Sequence, residues 1–127
     1  MSTEPHILIV EDDFDIRDTL SEILSAEGYR VSTAANGREA LDQLGAPELP
    51  CVILLDLMMP VMNGWQFRAE QEKDPRLSSI PVIVISADAG VFQKADALRA
   101  AAILRKPVQL DDLLEKVRGF GGQSHPS

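Results

Sequence analysis

Five short hydrophobic stretches recur along the chain, separated by longer segments whose apolar positions follow a helical repeat. Four stretches are almost wholly apolar and the second alternates apolar with polar side chains; they are Ile7–Val10, Tyr29–Ala34, Cys51–Leu55, Ile80–Ile85 and Ala100–Leu104. Strands without alternation are typical of parallel sheets that helices cover on both faces. The pattern therefore predicts buried parallel strands, with the alternating stretch at an edge of the sheet.

The intervening segments carry apolar residues at helical spacing, together with residues that favour helix ends. In the first segment Ile16, Leu20 and Leu24 recur at intervals of four residues and so share one helical face. The predicted helices are one that contains Ile16–Leu24 and ends at Gly28, one from an Asn36 cap to Gly45, Gly64–Asp74, Val91 to about Arg99, and one that contains Leu110–Val117 and ends at Gly119.

Strands and helices thus alternate five times, which predicts an α/β fold with right-handed crossovers between parallel strands. Five strands of this kind suit the flavodoxin-like (βα)5 doubly wound sandwich, with its parallel sheet in the order 2-1-3-4-5. The 127 residues, 45% of them hydrophobic, suffice for one core. We predict one domain over residues 1–119 and a flexible tail over residues 120–127, which are rich in Gly, Ser and Pro.

Charge and composition narrow the possible functions. The net charge of −8 argues against a nucleic-acid-binding surface, because phosphate contacts need clustered Lys and Arg. No stretch approaches the ~20 apolar residues of a membrane span, and the N-terminus lacks the pattern of a signal peptide. The single cysteine, Cys51, can form no internal disulfide. These features predict a cytoplasmic protein that binds neither nucleic acid nor membranes.

Charged and polar residues follow four of the hydrophobic stretches. Glu11 and Asp12 follow the first stretch, Asp56 the third and Ser86 the fourth, while Lys106 comes two residues after the fifth. The carboxyl ends of parallel strands lie at one edge of the sheet, and ligands bind there where the strand order reverses, here between the first and third strands. The sequence therefore predicts that these side chains meet in one site.

The acidic residues of this site need compensation for their charge. At an effective dielectric constant of about 20, two unit charges roughly 4 Å apart repel by ~4 kcal/mol. Lys106 offsets part of the repulsion among Glu11, Asp12 and Asp56, and a divalent cation offsets more. Oxygen ligands favour Mg²⁺, or Mn²⁺, over zinc. Asp13 is predicted instead to cap the following helix.

Four stretches together resemble the receiver domain of two-component response regulators, namely ILIVEDDFDIR, VILLDLMMPVMNGW, PVIVISA and ILRKP. The resemblance covers nearly the whole chain, from the first strand to about Arg118. It implies that Asp56 accepts a phosphoryl group and that Asp12 is a direct Mg²⁺ ligand. It also implies that Glu11 acts on the metal through water and that the backbone carbonyl of Met58 is a further ligand.

The resemblance assigns the remaining site residues as well. Ser86 would hydrogen-bond the phosphoryl group, Lys106 would pair with it, and the Lys106–Pro107 peptide bond would be cis. Ser86, Ala87, Ile103 and Pro107 would form the switch that responds to phosphorylation. The chain departs from the common family pattern at Ser86, where threonine is frequent, and at Ile103, where an aromatic residue is frequent.

A receiver domain takes its phosphoryl group from a sensor histidine kinase or a phosphotransfer protein and then changes its affinity for a downstream protein. Such a chain catalyses only phosphoryl transfer to, and hydrolysis from, its own Asp56. We expect a monomer or weak dimer, either a stand-alone regulator or part of a larger protein.

Other classes of protein share parts of this pattern. A phosphatase of the haloacid-dehalogenase type also uses a strand-end aspartate with Mg²⁺, but normally has a second aspartate where this chain has Met58. A flavin-binding flavodoxin-like module needs a phosphate-cradling loop after the first strand, where three acidic residues would repel a phosphate. A receiver-like scaffold that is never phosphorylated is the third alternative, and the complete set of acidic pair, acceptor and lysine argues against it.

Overall fold

Residues 5–87, 90 and 99–120 are described by the structure, a computed structural model. In these residues five strands form one parallel sheet, in the order 2-1-3-4-5. The strands are β1 (His6–Val10), β2 (Arg30–Ala34), β3 (Val52–Asp56), β4 (Val82–Ser86) and β5 (Ala102–Arg105). The predicted flavodoxin-like fold is confirmed.

Four helices are described, namely α1 (Phe14–Ala26), α2 (Gly37–Gln43), α3 (Gly64–Lys73) and α4 (Leu110–Phe120). The prediction that Gly119 ends the last helix is wrong, because α4 continues through Gly119 to Phe120. The helix predicted from Val91 onwards lies outside the described residues except for Arg99, as does the predicted tail except for Phe120. Among the described residues, no helix has the length and apolar character that crossing a membrane requires.

Apolar side chains cover both faces of the sheet and form two clusters. Because successive side chains of a strand point to opposite faces, Leu8 belongs to the cluster under α2 and α3, whereas Ile9 belongs to the cluster under α1 and α4. Every residue of β3 and β4 is buried. Burial on both faces explains why these strands carry continuous apolar runs instead of an alternating pattern.

Helix ends follow the local signals of the sequence closely. The side chain of Asp13 accepts a hydrogen bond from the Ile16 amide at 3.1 Å and begins α1, as predicted. Gly28 follows the end of α1 with a φ of 95°, a conformation that glycine adopts without strain. Asn36 caps α2, as predicted, by accepting from the Glu39 amide at 2.9 Å, and the Glu39 carboxylate accepts from the Ala35 amide just before the cap.

A buried polar network, which the apolar pattern did not indicate, ties α3 to the chain on either side of β4. Gln71 is fully buried, and its side-chain amide donates to the carbonyls of Leu77 and Ile80 at 2.9 and 3.2 Å. Arg68 donates to Gln71 Oε1 at 2.6 Å and to the carbonyl of Arg99 at 3.2 Å. Buried polar groups require such partners, and a satisfied network fixes the position of the helix that carries it.

Candidate functional site

A cleft of about 480 Å³ opens at the carboxyl edge of the sheet, beside the point where the strand order reverses. Its lining residues are Glu11, Asp12, Asp13, Ile16, Asp56, Met58, Ser86, Ala87 and Lys106. The structure therefore brings together the acidic residues, the serine and the lysine that the strand-end pattern predicts to meet. Such a cleft is the usual ligand position of an open α/β sheet.

Three carboxylates converge in the cleft. Glu11, Asp12 and Asp56 each present a carboxylate oxygen, and these oxygens lie within 4.8 Å of one another. Glu11 and Asp56 are buried, with 2% and 5% of their surface exposed, whereas Asp12 is exposed. Buried carboxylates at this separation repel strongly, so the arrangement favours a positive charge between them.

Lys106 supplies part of that positive charge. Its Nζ lies 3.0 Å from Oε1 of Glu11 and 3.4 Å from Oδ1 of Asp56. Burial alone would disfavour the ammonium, but its hydrogen bond to Glu11 and the charge of Asp56 hold the pKa of Lys106 above the ordinary value. The lysine therefore stays charged, bound to two carboxylates.

Asp56 is difficult to ionise in this environment. Burial and the charge of Glu11 raise the pKa of its carboxyl group to about 7, although Lys106 and the Met58 backbone N–H favour the ionised form. A carboxyl group with this pKa is only partly ionised near neutral pH, and a further cation beside it would favour the carboxylate. Perturbed carboxyl groups of this kind cluster at functional sites.

The turn between β1 and α1, residues 11–13, carries the acidic side chains and is held at several points. The Glu11 amide donates to the carbonyl of Ala34 at 3.0 Å, and Oε2 of Glu11 accepts from the Asp13 amide at 3.1 Å. Arg17 reaches back from α1 and donates to the carbonyls of Glu11 and Asp12 at 2.7 and 3.4 Å. Sequence reasoning missed Arg17, although a cation in the first turn of a helix opposes the helix dipole and could have drawn notice.

The residues predicted to form the switch occupy two different places. Ser86 is buried at the end of β4, its carbonyl accepts from the Lys106 amide at 3.0 Å, and the exposed Ala87 follows it. The Lys106–Pro107 peptide bond is cis, as the resemblance implies. Ile103 is half-buried in β5 and packs against the cluster under α2 and α3, outside the lining of the cleft.

The loop from β3 to α3 leaves the cleft in a constrained path. The side chain of Met58 is 73% exposed at the cleft. Further on, the Met62 amide donates to the carbonyl of Pro60 at 2.6 Å, closing a three-residue turn around Val61, whose φ is 66°. Gly64 then packs directly on the end of β3, where a Cβ would lie 2.7 Å from the carbonyl oxygen of Asp56.

A doubly wound parallel sheet with an acidic cleft at its switch point defines a class of flavodoxin-like α/β protein. Within that class, the family model described as the response regulator receiver domain matches residues 7–118. The chain belongs to this family, and its function is that of a receiver domain in phosphorelay signalling. Membership does not favour the alternatives of a dehalogenase-type phosphatase or a flavin-binding module.

Individual relatives agree with the family assignment. The response regulator MprA of Mycolicibacterium vanbaalenii is 34% identical over 122 residues, which cover 94% of this chain and 52% of the relative. The chemotaxis response regulator CheY4 of Vibrio cholerae has a similar structure, with a TM-score of 0.84, 31% identity and coverage of 93% of this chain and 99% of that one. The receiver domain of a signal transduction histidine kinase from Syntrophus aciditrophicus gives a TM-score of 0.84 at 30% identity, covering 97% of this chain and 96% of that one.

The chain spans about half the length of the curated relatives it matches. Receiver domains also occur in a histidine kinase among the similar structures. The shared part is therefore the receiver domain itself, and the activities of the longer relatives do not transfer with it.

Proposed function

We propose that Asp56 is the phosphoryl acceptor of this receiver domain, with a sensor histidine kinase or a phosphotransfer protein as the donor. The observation that carries the proposal is the position of Asp56, which is buried at the end of β3, opens into the cleft and lies 3.4 Å from Nζ of Lys106. A carboxylate at that position faces incoming phosphate with a lysine already beside it.

Apart from the acceptor carboxylate, the protein forms no covalent bond during the phosphoryl transfer. An Oδ atom of Asp56 bonds to phosphorus while the bond from phosphorus to the donor histidine nitrogen breaks, and the imidazole keeps the electron pair. Positioning and charge neutralisation dominate such transfers. Lys106 would neutralise charge on the phosphoryl oxygens, and the hydroxyl of Ser86 would donate a hydrogen bond to them. Later hydrolysis of the acyl phosphate, on the same residue, returns the resting state.

The acidic residues fit a bound Mg²⁺, with Mn²⁺ as a substitute. Three carboxylates with oxygens within 4.8 Å of one another form the oxygen-rich, negatively charged donor set that these ions prefer. Asp12 is exposed in the cleft and would bind the ion directly, with Asp56 and the carbonyl of Met58, while the buried Glu11 would act through water. When bound, the ion would neutralise charge on the phosphoryl oxygens.

The acceptor is tested by incubating the protein with acetyl phosphate and Mg²⁺ and measuring the intact mass. We expect a single phosphoryl adduct that hydroxylamine removes, because an acyl phosphate reacts with that nucleophile. Asp56→Asn should give no adduct, whereas Asp42→Asn, an exposed aspartate remote from the cleft, should label like the parent.

Full labelling of Asp56→Asn would show that another residue is the acceptor. Absence of any adduct on the parent, with acetyl phosphate and also with a phosphorylated phosphotransfer protein, would favour the scaffold that is never phosphorylated.

Phosphorylation adds roughly −1.5 to −2 charges to the cleft, by analogy with other phosphorylated side chains. We propose that Ser86 and Ala87, with Ile103 and Pro107, respond to this charge and change the affinity of the domain for a downstream protein. The proposal includes a cytoplasmic location, which suits a chain whose single cysteine can form no internal disulfide, and a monomeric or weakly dimeric state.

A further inference from the structure

The position of Arg17 in α1 is unusual for a cation. Arg17 lies in the first turn of the helix, where the partial positive charge of the helix terminus disfavours another positive group. Its side chain nevertheless folds back towards that terminus, and its guanidinium donates to the carbonyls of Glu11 and Asp12 at 2.7 and 3.4 Å. The ring of Phe14 lies 5.5 Å from the guanidinium carbon on the way.

The two carbonyls that Arg17 holds belong to the residues whose carboxylates enter the cleft. Other contacts fix different groups of this turn, namely the Glu11 amide on Ala34 and the Asp13 amide on Oε2 of Glu11. One terminal nitrogen, Nη1, donates to both carbonyls, and the planar guanidinium holds its N–H bonds in fixed directions, which a lysine ammonium on a flexible stem does poorly. Arg17 therefore constrains the backbone from which the Asp12 side chain projects.

We propose that Arg17 is a positioning residue for the metal site, acting through the backbone of Glu11 and Asp12. The inference rests on the proposed function, since it takes Asp12 to be a ligand of Mg²⁺. With Arg17 in place, the Asp12 carboxylate is preset for the ion, and binding does not have to order the turn. Groups that orient metal ligands in this way typically change metal affinity by tenfold or more, without touching the ion.

If Arg17 acted only through its charge, removing it would change Mg²⁺ affinity in the opposite direction. If Arg17 contributed only its positive charge near the acidic residues, removing that charge would tighten Mg²⁺ binding, because like charges repel. If Arg17 positions the turn, removing it weakens binding. The direction of the change in the dissociation constant therefore separates the two roles.

The experiment measures Mg²⁺ binding by isothermal titration calorimetry on the full chain, with thermal unfolding in EDTA as a parallel measure of stability. We expect the dissociation constant to rise about tenfold in Arg17→Gln and about threefold in Arg17→Lys, which keeps the charge but not the planar guanidinium. Arg76→Gln is the matched control, because Arg76 also donates to two backbone carbonyls, those of Leu44 and Ala46, outside the cleft. It should lower the unfolding temperature and change the dissociation constant by less than about twofold.

Unchanged or tighter Mg²⁺ binding in Arg17→Gln would overturn the inference while leaving the metal site intact, provided that Asp12→Asn still abolishes binding. A parent protein that binds no Mg²⁺ would overturn both the metal site and the role of Arg17. If Arg17→Gln does not fold, Arg17→Lys decides, because a dissociation constant equal to that of the parent contradicts the need for two held carbonyls.

Discussion

Burial of the Asp56 carboxyl group favours its protonated form over its ionised form. The carboxyl group has a pKa of about 7 in the folded chain, well above the ordinary value of 3.8. The folded state therefore binds a proton more tightly than the unfolded state between these values. In the absence of metal, stability contributed by this group is present at low pH and is lost as the pH rises through this window.

We therefore predict that Asp56→Asn stabilises the metal-free protein at pH 8, by on the order of 2–4 kcal/mol, and by much less at pH 5. Urea unfolding in EDTA at the two pH values measures the effect. Asp42→Asn, which removes a charge at an exposed position, should leave the pH dependence of the parent unchanged. Equal stabilisation by Asp56→Asn at both pH values would show that the raised pKa does not govern stability.

The backbone conformation of Val61 also lowers the stability of the folded chain. A β-branched residue at a φ of 66° is disfavoured by about 1–2 kcal/mol, and the side chain gains little from packing because it is 79% exposed. We predict that Val61→Gly raises the unfolding temperature by about 2–4 °C after the greater entropy of unfolded glycine is subtracted. Val61→Ala keeps a Cβ and should gain less than Val61→Gly. An unfolding temperature lower in Val61→Gly than in the parent would contradict the prediction.

At the scale of whole elements, the start of α3 packs so closely on the end of β3 that no side chain fits between them. A Cβ on Gly64 would lie 2.7 Å from the Asp56 carbonyl oxygen and 2.8 Å from the Cα of Leu57, and neither backbone atom can move without shifting the strand. Gly119 in α4 is a natural comparison, because a Cβ there meets no atom within 4 Å.

The two glycines should therefore respond to alanine in opposite directions. We predict that Gly64→Ala destabilises the protein by about 1–3 kcal/mol, through overpacking, and slows labelling of Asp56 by acetyl phosphate. Gly119→Ala should stabilise by about 0.5–1 kcal/mol, since alanine is the better helix former, and should leave labelling unchanged. Urea unfolding and the intact-mass assay measure both effects, and a neutral Gly64→Ala would disprove the tight fit.

The elements that the sequence predicts correctly are those whose signal is local. Apolar runs located each strand to within two residues, and β3, β4 and β5 extend to Asp56, Ser86 and Arg105 because backbone pairing continues past the last apolar side chain. Gly119 did not end α4, because a glycine is tolerated inside a helix and Phe120 is still helical.

The residues that line the cleft could be predicted from the sequence. The residues that hold the surrounding backbone in place could not. Strand-end residues converge because parallel strands share one edge, so Asp56, Ser86 and Lys106 follow from topology alone. Arg17, Gln71 and the turn at Val61 depend on which carbonyl lies within reach in three dimensions. Nothing in the spacing of the sequence carries that information.

At the scale of the whole molecule, the question is how far a change at Asp56 travels. Ser86 is joined to Lys106 through the backbone, and its side chain lies in the cleft, whereas Ile103 faces the cluster under α2 and α3. A phosphoryl group on Asp56 should therefore attract the Ser86 hydroxyl before it affects Ile103, because a charge-assisted hydrogen bond is stronger than a neutral one.

We predict that beryllium fluoride, whose BeF₃⁻ unit on the Asp56 carboxylate stands in for the phosphoryl group, shifts amide NMR signals from the cleft through Ala87 into β5. Ser86→Ala should bind the mimic but confine the shifts to the cleft. Ile103→Ala should preserve their spread. Wide shifts in Ser86→Ala, or their loss in Ile103→Ala, would show that the proposed route through Ser86 is wrong.

Lys106 contacts the ends of three other strands through its ammonium group and its backbone amide. Its ammonium contacts Glu11 after β1 and Asp56 at the end of β3, and its amide is bonded to Ser86 at the end of β4. Lys106 itself directly follows β5, so the tie runs across most of the width of the sheet. A change of charge at Asp56 therefore acts through one lysine on the ends of β1, β4 and β5 as well.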